Sequence, residues 1–341
     1  MPKKIKKCFY KNLTFQKLIE AHYRARKSKK YKNEIIGFEL SLETNITNLL
    51  NIIKNHRYCP GKYRVFTIKE PKERIIKALP YVDRIVHQWY IEEFIKPYIV
   101  PKFISTSYAC IINKGTHKAA EKVQEYMRIC KRNNERFWVL KCDIKKFFYQ
   151  IDKKILFKIM KKYIADCELL KFTKSIIFDT SEQIGIPIGN YTSQYFANIY
   201  LNELDQFIKR NLCLKYYVRY MDDFIILLPN KNDCIKTKGT IKNFIKENLH
   251  LELNEKTRYY PDKMGVDFCG YRIFTTHKLL RKSSKTRIKR QIKKWNKLYK
   301  ENKLNFKKLQ MQYMSWLGHA SHSNSYNLVR SLIQKGNFFY N

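Results

Sequence analysis

Apolar residues recur at helical spacing near both ends of the chain, and short β-type apolar runs occupy its middle. Residues 13–26 and 40–53 carry apolar side chains three and four positions apart, the repeat that turns one helix face toward a core. The same spacing predicts helices over 153–163, 281–300, 306–317 and 324–334. In 281–300 the stripe is Ile288, Ile292, Trp295 and Leu298, with basic residues filling the other face, and Ser283-Ser284 interrupts the pattern just before it. Two runs break this rhythm. Phe137-Trp138-Val139-Leu140 leads to Asp143, and Phe224-Ile225-Ile226-Leu227-Leu228 follows a pair of carboxylates. Both are rich in β-branched and aromatic residues and read as buried strands.

The carboxylate pair is Asp222-Asp223, preceded by Tyr216-Tyr217-Val218-Arg219-Tyr220-Met221. It reads as the tip of a hairpin with buried strands. A bare Asp-Asp is usually a solvated turn, and Asp143 alone would serve as a strand-end cap or an ion-pair partner. Taken together they suggest more. Like charges brought close in a partly buried place need a counter-ion. Carboxylates on neighbouring strands can hold two divalent ions roughly 4 Å apart, the requirement of nucleotidyl transfer. Hard cations such as Mg²⁺ take oxygen ligands, and Asp143, Asp222, Asp223 and the Ile144 carbonyl supply them.

On these residues the chain resembles reverse transcriptases. The family's strand-ending Asp matches Asp143, and its Tyr-x-Asp-Asp box matches residues 220–223. Further blocks follow in the family's order over roughly residues 55–275. They are 67–76, similar to the fingers strand-turn-strand; 81–88, the helix after it; 107–117, a fingers loop entering a helix; 185–194, the loop and helix beneath the nucleotide; and 253–257 and 268–271, the last palm elements. The resemblance implies an α+β right hand with an antiparallel palm sheet. Its divisions would be an N-terminal helical extension over 1–54, fingers over 55–130, palm over 131–275 and a helical thumb over 276–341. It also implies a two-metal site using Mg²⁺, with Mn²⁺ able to substitute. By position, Lys72 and Arg74 would neutralise the triphosphate, and Phe148 would exclude a ribose 2′-hydroxyl. Ile188, Gly189 and Asn190 would lie against the nucleotide, Lys256 would protonate the leaving pyrophosphate, and Phe268, Gly270 and Tyr271 would grip the primer.

The block Gly189-Asn190-Tyr191-Thr192-Ser193-Gln194 narrows the type. Retroviral enzymes carry Gln before this Gly and Pro after the Ser, where this chain has Ile188 and Gln194. The pattern is similar to the reverse transcriptases of diversity-generating retroelements, bacterial and phage enzymes related to those of retrons and group II introns. Residues 195–201 and Ser315-Trp316-Leu317-Gly318-His319-Ala320 extend the likeness. That type implies copying errors at template adenines and a small, helical, oligomeric accessory protein. Ile188 has two readings. It removes a polar checkpoint and so loosens discrimination, or it only packs beneath the nucleotide. Two other functions stay open: an antiviral-defence or retron-like enzyme with a dedicated noncoding RNA, and an inactive polymerase fold that binds RNA.

Charge agrees with a polyanionic partner. Lys and Arg number 69 against 29 Asp and Glu, a formal net charge of +40, far more than solubility requires. Most are Lys, which act as point charges on a backbone rather than as readers of bases. The 25 Tyr and 21 Phe are largely core material. Nine scattered cysteines lack a Cys-x-x-Cys spacing, which argues against structural zinc and fits a reducing cytoplasm. No segment reads as a signal peptide or a membrane span. Nothing follows the predicted thumb, so ribonuclease H or endonuclease chemistry is expected to come from other proteins.

Overall fold

The computed structural model describes residues 4–69, 73–133 and 135–336. The chain forms two compact units, each assembled from separate stretches of sequence: Met1–Ser105, Asp143–Leu214 and Gly239–Glu255 in the first, and Thr106–Cys142, Lys215–Lys238 and Lys256–Asn341 in the second.

The first unit is largely helical. Helices run over Phe15–Ala25, Leu42–Lys54 and Lys153–Tyr163, where apolar spacing predicts them. Short polar side chains start several of them by accepting otherwise unpaired first-turn N–H groups. Thr14 caps Phe15–Ala25, Asp152 caps Lys153–Tyr163, and Asp166 caps Cys167–Ile177. Asp166 Oδ2 also accepts from the Cys8 and Phe9 N–H groups at 2.7 and 3.0 Å, which ties down the N-terminal segment. Phe9, Phe94 and Phe172 pack around Trp89, with ring centroids 5.8, 5.2 and 5.4 Å from it. One antiparallel hairpin belongs to this unit, β1 (Arg64–Ile68) and β2 (Arg74–Ala78), with Ile68 opposite Arg74. Val65, Phe66, Ile68 and Ile75 are exposed on it, so this ribbon is surface rather than core. Lys72, expected at its turn, lies outside the described residues.

The second unit holds a four-stranded antiparallel sheet in the order β4-β5-β3-β6. The strands are β3 (Trp138–Cys142), β4 (Tyr217–Tyr220), β5 (Asp223–Leu228) and β6 (Arg258–Pro261). Burial is nearly continuous along β4 and β5, so both faces are covered and the apolar runs do not alternate with polar residues. A smaller antiparallel sheet follows, β7 (Val266–Phe268), β8 (Tyr271–Ile273) and β9 (Lys278–Leu280). The helix Thr116–Asn133 and three C-terminal helices, Lys282–Lys300, Phe306–Ala320 and Tyr326–Gln334, complete the unit. Ile288, Ile292 and Trp295 are buried as the stripe predicts, in one core with Tyr271, Trp316 and Leu332. One expectation is corrected. Ser283-Ser284 does not break the pattern but lies within the first turn of Lys282–Lys300, where N–H groups have no intrahelical partner and serine costs little. Antiparallel sheets with segregated helices make the fold α+β.

Candidate active site

Tyr220 pairs with Asp223, so Met221 and Asp222 alone make the β4–β5 loop. Met221 has φ of 54°, in the left-handed region that side chains occupy sparsely. Arg219 supports it. This arginine is fully buried; its Nη1 donates to the Met221 carbonyl at 3.0 Å and its Nη2 to Ser107 Oγ at 3.2 Å. Its backbone N–H donates to the Thr106 carbonyl, and its carbonyl accepts from Tyr108 N–H, each at 3.0 Å. The loop carrying the carboxylates therefore rests on a buried cation that the sequence shows only as an Arg inside an apolar run.

In the same sheet Cys142 at the end of β3 stands opposite Phe224, the neighbour of Asp223. Asp143 is the next residue in the chain. Lys141, within β3, places Nζ 3.3 Å from Asp223 Oδ2. Its ammonium also donates to the Asp267 carbonyl. Asp143 is held by Asn254: the Asn254 N–H donates to the Asp143 carbonyl at 2.7 Å, and its side-chain amide to Asp143 Oδ2 at 2.8 Å. Ile144 is buried and bridges to Leu253.

An all-oxygen set of this kind suits a hard divalent cation. Among the described residues, however, no three His, Cys, Asp or Glu side chains lie close enough to hold a metal together. Each unit supplies its carboxylate with a polar partner: the Lys141 ammonium for Asp223 and the Asn254 amide for Asp143.

Within the first unit, the loop before the helix Tyr191–Gln206 is pinned by its backbone. Gly185 and Ile186 N–H donate to the Ile151 and Phe148 carbonyls at 2.8 Å, and the Ile188 carbonyl accepts from Lys77 N–H of β2 at 2.9 Å. Gly189 has φ of 128°, and a Cβ there would lie 2.9 Å from the Lys77 carbonyl oxygen. Gly189→Ala is expected to destabilise the protein by about 1–3 kcal/mol, since both the backbone region and the space exclude a side chain. An unshifted urea midpoint would show that the loop simply relaxes. Asn190 is buried, and its amide donates to the Tyr63 hydroxyl at 2.8 Å. That hydroxyl donates to Asp179, which pairs with the almost fully buried Lys153 at 3.2 Å. Thr192 bonds His87, whose pKa burial pushes down to about 3, leaving the ring neutral at pH 7. A cavity of about 1190 Å³ opens here, lined among others by Gly189, Asn190, Tyr191, Gln194, Lys62 and Arg64.

The β7–β8 turn belongs to the second unit. Phe268 pairs with Tyr271, and Cys269 and Gly270 between them have φ of 49° and 89°. Two left-handed residues in a two-residue loop match the right-handed twist of the strands. Burial, then the nearby charge of Asp223, pushes the Cys269 thiol up, so this turn sits beside the carboxylate hairpin. The Tyr271 hydroxyl meets His117 Nδ1 at 2.8 Å and His319 Nδ1 at 3.0 Å and donates to the His319 carbonyl at 2.9 Å. A Cβ on Gly270 would lie 3.0 Å from the His319 ring. His319, noticed in the sequence only as part of a C-terminal block, thus fastens this turn to the helix Phe306–Ala320.

The remaining expected residues are more exposed. Arg74 is exposed at the start of β2, and Lys256 is exposed in the turn before β6. Phe148 is half-buried, its ring 5.6 Å from that of Phe147. Lys141, Arg219 and Asn254 were not expected at the site. A charged residue within a buried strand was the available signal for the first two.

The family described as "Reverse transcriptase (RNA-dependent DNA polymerase)" matches residues 54–273. The COX1/OXI3 intron 2 protein of Saccharomyces cerevisiae is 22% identical over 282 residues, covering 63% of this chain and 31% of that protein. The group II intron-encoded protein LtrA of Lactococcus lactis subsp. cremoris is 23% identical over 305 residues, covering 68% of this chain and 50% of that protein. The chain thus spans half or less of these relatives. Telomerase from Candida albicans, solved with a fragment of telomeric RNA, superposes with a TM-score of 0.50 at 15% identity, over 70% of this chain and 51% of that one. At that identity the likeness concerns the fold alone. No helix among the described residues is long and apolar enough to cross a membrane.

Proposed function

The chain belongs to the reverse transcriptase (RNA-dependent DNA polymerase) family, and from that premise we propose that it copies a template RNA into DNA by extending a primer with deoxynucleoside triphosphates. The observation that carries this reading is the strand register. Cys142 opposite Phe224 sets the strand that leads into Asp143 beside the strand that begins at Asp223. Asp143, Asp222, Asp223 and the Ile144 carbonyl would hold divalent metal, which the family normally uses; Mg²⁺ fits the oxygen donors, and Mn²⁺ could replace it. The chemistry such a metal would supply there is acidity at the primer 3′-hydroxyl and positive charge against the triphosphate. The chain's own residues do the rest. Arg74, at the start of β2, brings a cation to the triphosphate, and Lys72 would add a second. Lys256 donates a proton to the leaving pyrophosphate. Phe148 blocks a ribose 2′-hydroxyl, and Phe268, Gly270 and Tyr271 hold the primer end through the β7–β8 turn.

The type we favour is the diversity-generating one, error-prone at template adenines and working with a small oligomeric accessory protein. Ile188 supports it. Its backbone carbonyl is committed to Lys77, and its side chain presents only hydrocarbon to whatever lies above the loop. A wrong pair then leaves no buried polar group unsatisfied, and discrimination weakens. Primer extension on a defined RNA, with the products sequenced, tests both readings. We expect misincorporation concentrated opposite adenine, fewer errors in Ile188→Gln, and rejection of ribonucleotides that Phe148→Ala relaxes. Accurate synthesis would instead fit a defence or retron-like enzyme with its own noncoding RNA. RNA bound without synthesis under Mg²⁺ or Mn²⁺, accessory protein included, would fit an inactive polymerase fold.

A further inference from the structure

A second cavity, of about 650 Å³, lies within the first unit and has no part in the site described above. Its cations come from four separate elements. Lys4 is placed where the N-terminal segment bridges Ile5 to Ile164. Lys102 ends the turn Val100–Lys102, Lys162 lies in the last turn of Lys153–Tyr163, and Arg210 lies in the π-helical stretch Phe207–Asn211. Four of the eight lining residues are basic, against 69 of 341 in the whole chain, so general basicity does not account for the concentration. The fold gathers these positions from far apart in sequence. A local run of charge does not.

The one acid present, Glu203, pairs with Lys162, which leaves the cavity strongly positive. Burial lowers the pKa of Lys102, whose Nζ sits 5.1 Å over the Tyr163 ring. Lys4, Lys162 and Arg210 are exposed, and gathering four cations is unfavourable unless an anion offsets their repulsion. The cavity cannot belong to the nucleotide loop. Asn202 lines it twelve positions after Asn190, and at about 1.5 Å per residue the helix Tyr191–Gln206 separates them by about 18 Å.

The space exceeds one phosphate and accommodates a nucleotide-sized group. Tyr163 is buried, with its hydroxyl accepting from the Asn202 amide at 3.1 Å, so no open aromatic face is offered to a base. Three of the four cations are lysines, which grip charge without reading sequence. We propose that this cavity is a phosphate-binding site, separate from the candidate active site, that holds the backbone of an RNA strand. A free nucleotide or pyrophosphate would use the same chemistry.

The test uses the full chain and reads binding, so its outcome does not depend on whether the protein synthesises DNA. Lys102→Gln/Arg210→Gln is compared with Lys242→Gln/Lys246→Gln, which removes equal charge from an exposed helical surface. Affinity for a single-stranded oligoribonucleotide is measured across a salt series. Loss of two phosphate contacts should flatten the plot of log K against log salt by about 1.4, at about 0.7 per phosphate, with little change in the control pair. In the unmutated protein, the oligoribonucleotide should protect Lys4, Lys102 and Lys162 from acetylation more than Lys242 and Lys246. Protection by pyrophosphate or ATP but not by RNA would keep the phosphate site and assign it a free ligand. Equal slopes in the two variants, with no selective protection by any of these probes, would overturn the proposal, and the protection arm decides it even if the double variant fails to fold.

Discussion

Asp223→Ala is expected to abolish DNA synthesis while leaving RNA binding unchanged or slightly tighter. Loss of an outer-shell partner of a metal ligand lowers activity by about 10–100-fold, and loss of the ligand itself should exceed about 100-fold. Removing a negative charge does not weaken contacts with phosphates. Asn254→Ala supplies the graded comparison. Asn254 holds Asp143 through both its backbone N–H and its side-chain amide, so its truncation should cost about 10–100-fold with the ligand itself retained. Primer extension together with a filter-binding or anisotropy measurement checks both variants. If RNA binding collapsed with Asp223, the carboxylate would be structural, supporting the hairpin through Lys141 at 3.3 Å, and the metal assignment would fail.

Arg219→Met should be the most damaging change for stability among those considered. The guanidinium is fully buried and bonds the Met221 carbonyl and Ser107 Oγ. Hydrogen bonds from a charged donor contribute about 1.5–3 kcal/mol each, so losing the two should destabilise the fold by about 3 kcal/mol or more. Met221 would also lose the partner that keeps it at φ of 54°, so residual synthesis should fall even where the protein remains folded. Urea unfolding monitored by circular dichroism reads the first effect, and extension kinetics well below the midpoint read the second. A variant as stable as the parent would mean that Arg219 merely fills space.

The expectations that held concern elements whose signal is local. The helices Phe15–Ala25, Lys153–Tyr163 and Lys282–Lys300 follow from apolar spacing, because one turn of helix brings positions three and four apart onto one face. The carboxylate hairpin follows from two β-prone runs flanking a polar pair. Ser283-Ser284 misled because serine is unfavourable within a helix and favourable at its start, and periodicity places helix ends poorly. The bond from the Asn190 amide to Tyr63, 127 positions away, has no trace in local pattern.

Residue order alone determines where helices and strands form, which carboxylates stand next to buried strands, and that the chain carries an excess of 40 positive charges. These are consequences of side-chain size, polarity and charge, read over a few positions. Folding in three dimensions decides which groups those carboxylates meet. Lys141 reaches Asp223 because strand register aligns β3 with β5. Asn254 reaches Asp143 across 111 positions, and Lys4, Lys102, Lys162 and Arg210 share one cavity although they are scattered over half the chain. Such pairings depend on how distant segments pack, and packing is set by the joint fit of many side chains, with no local signature in any one of them.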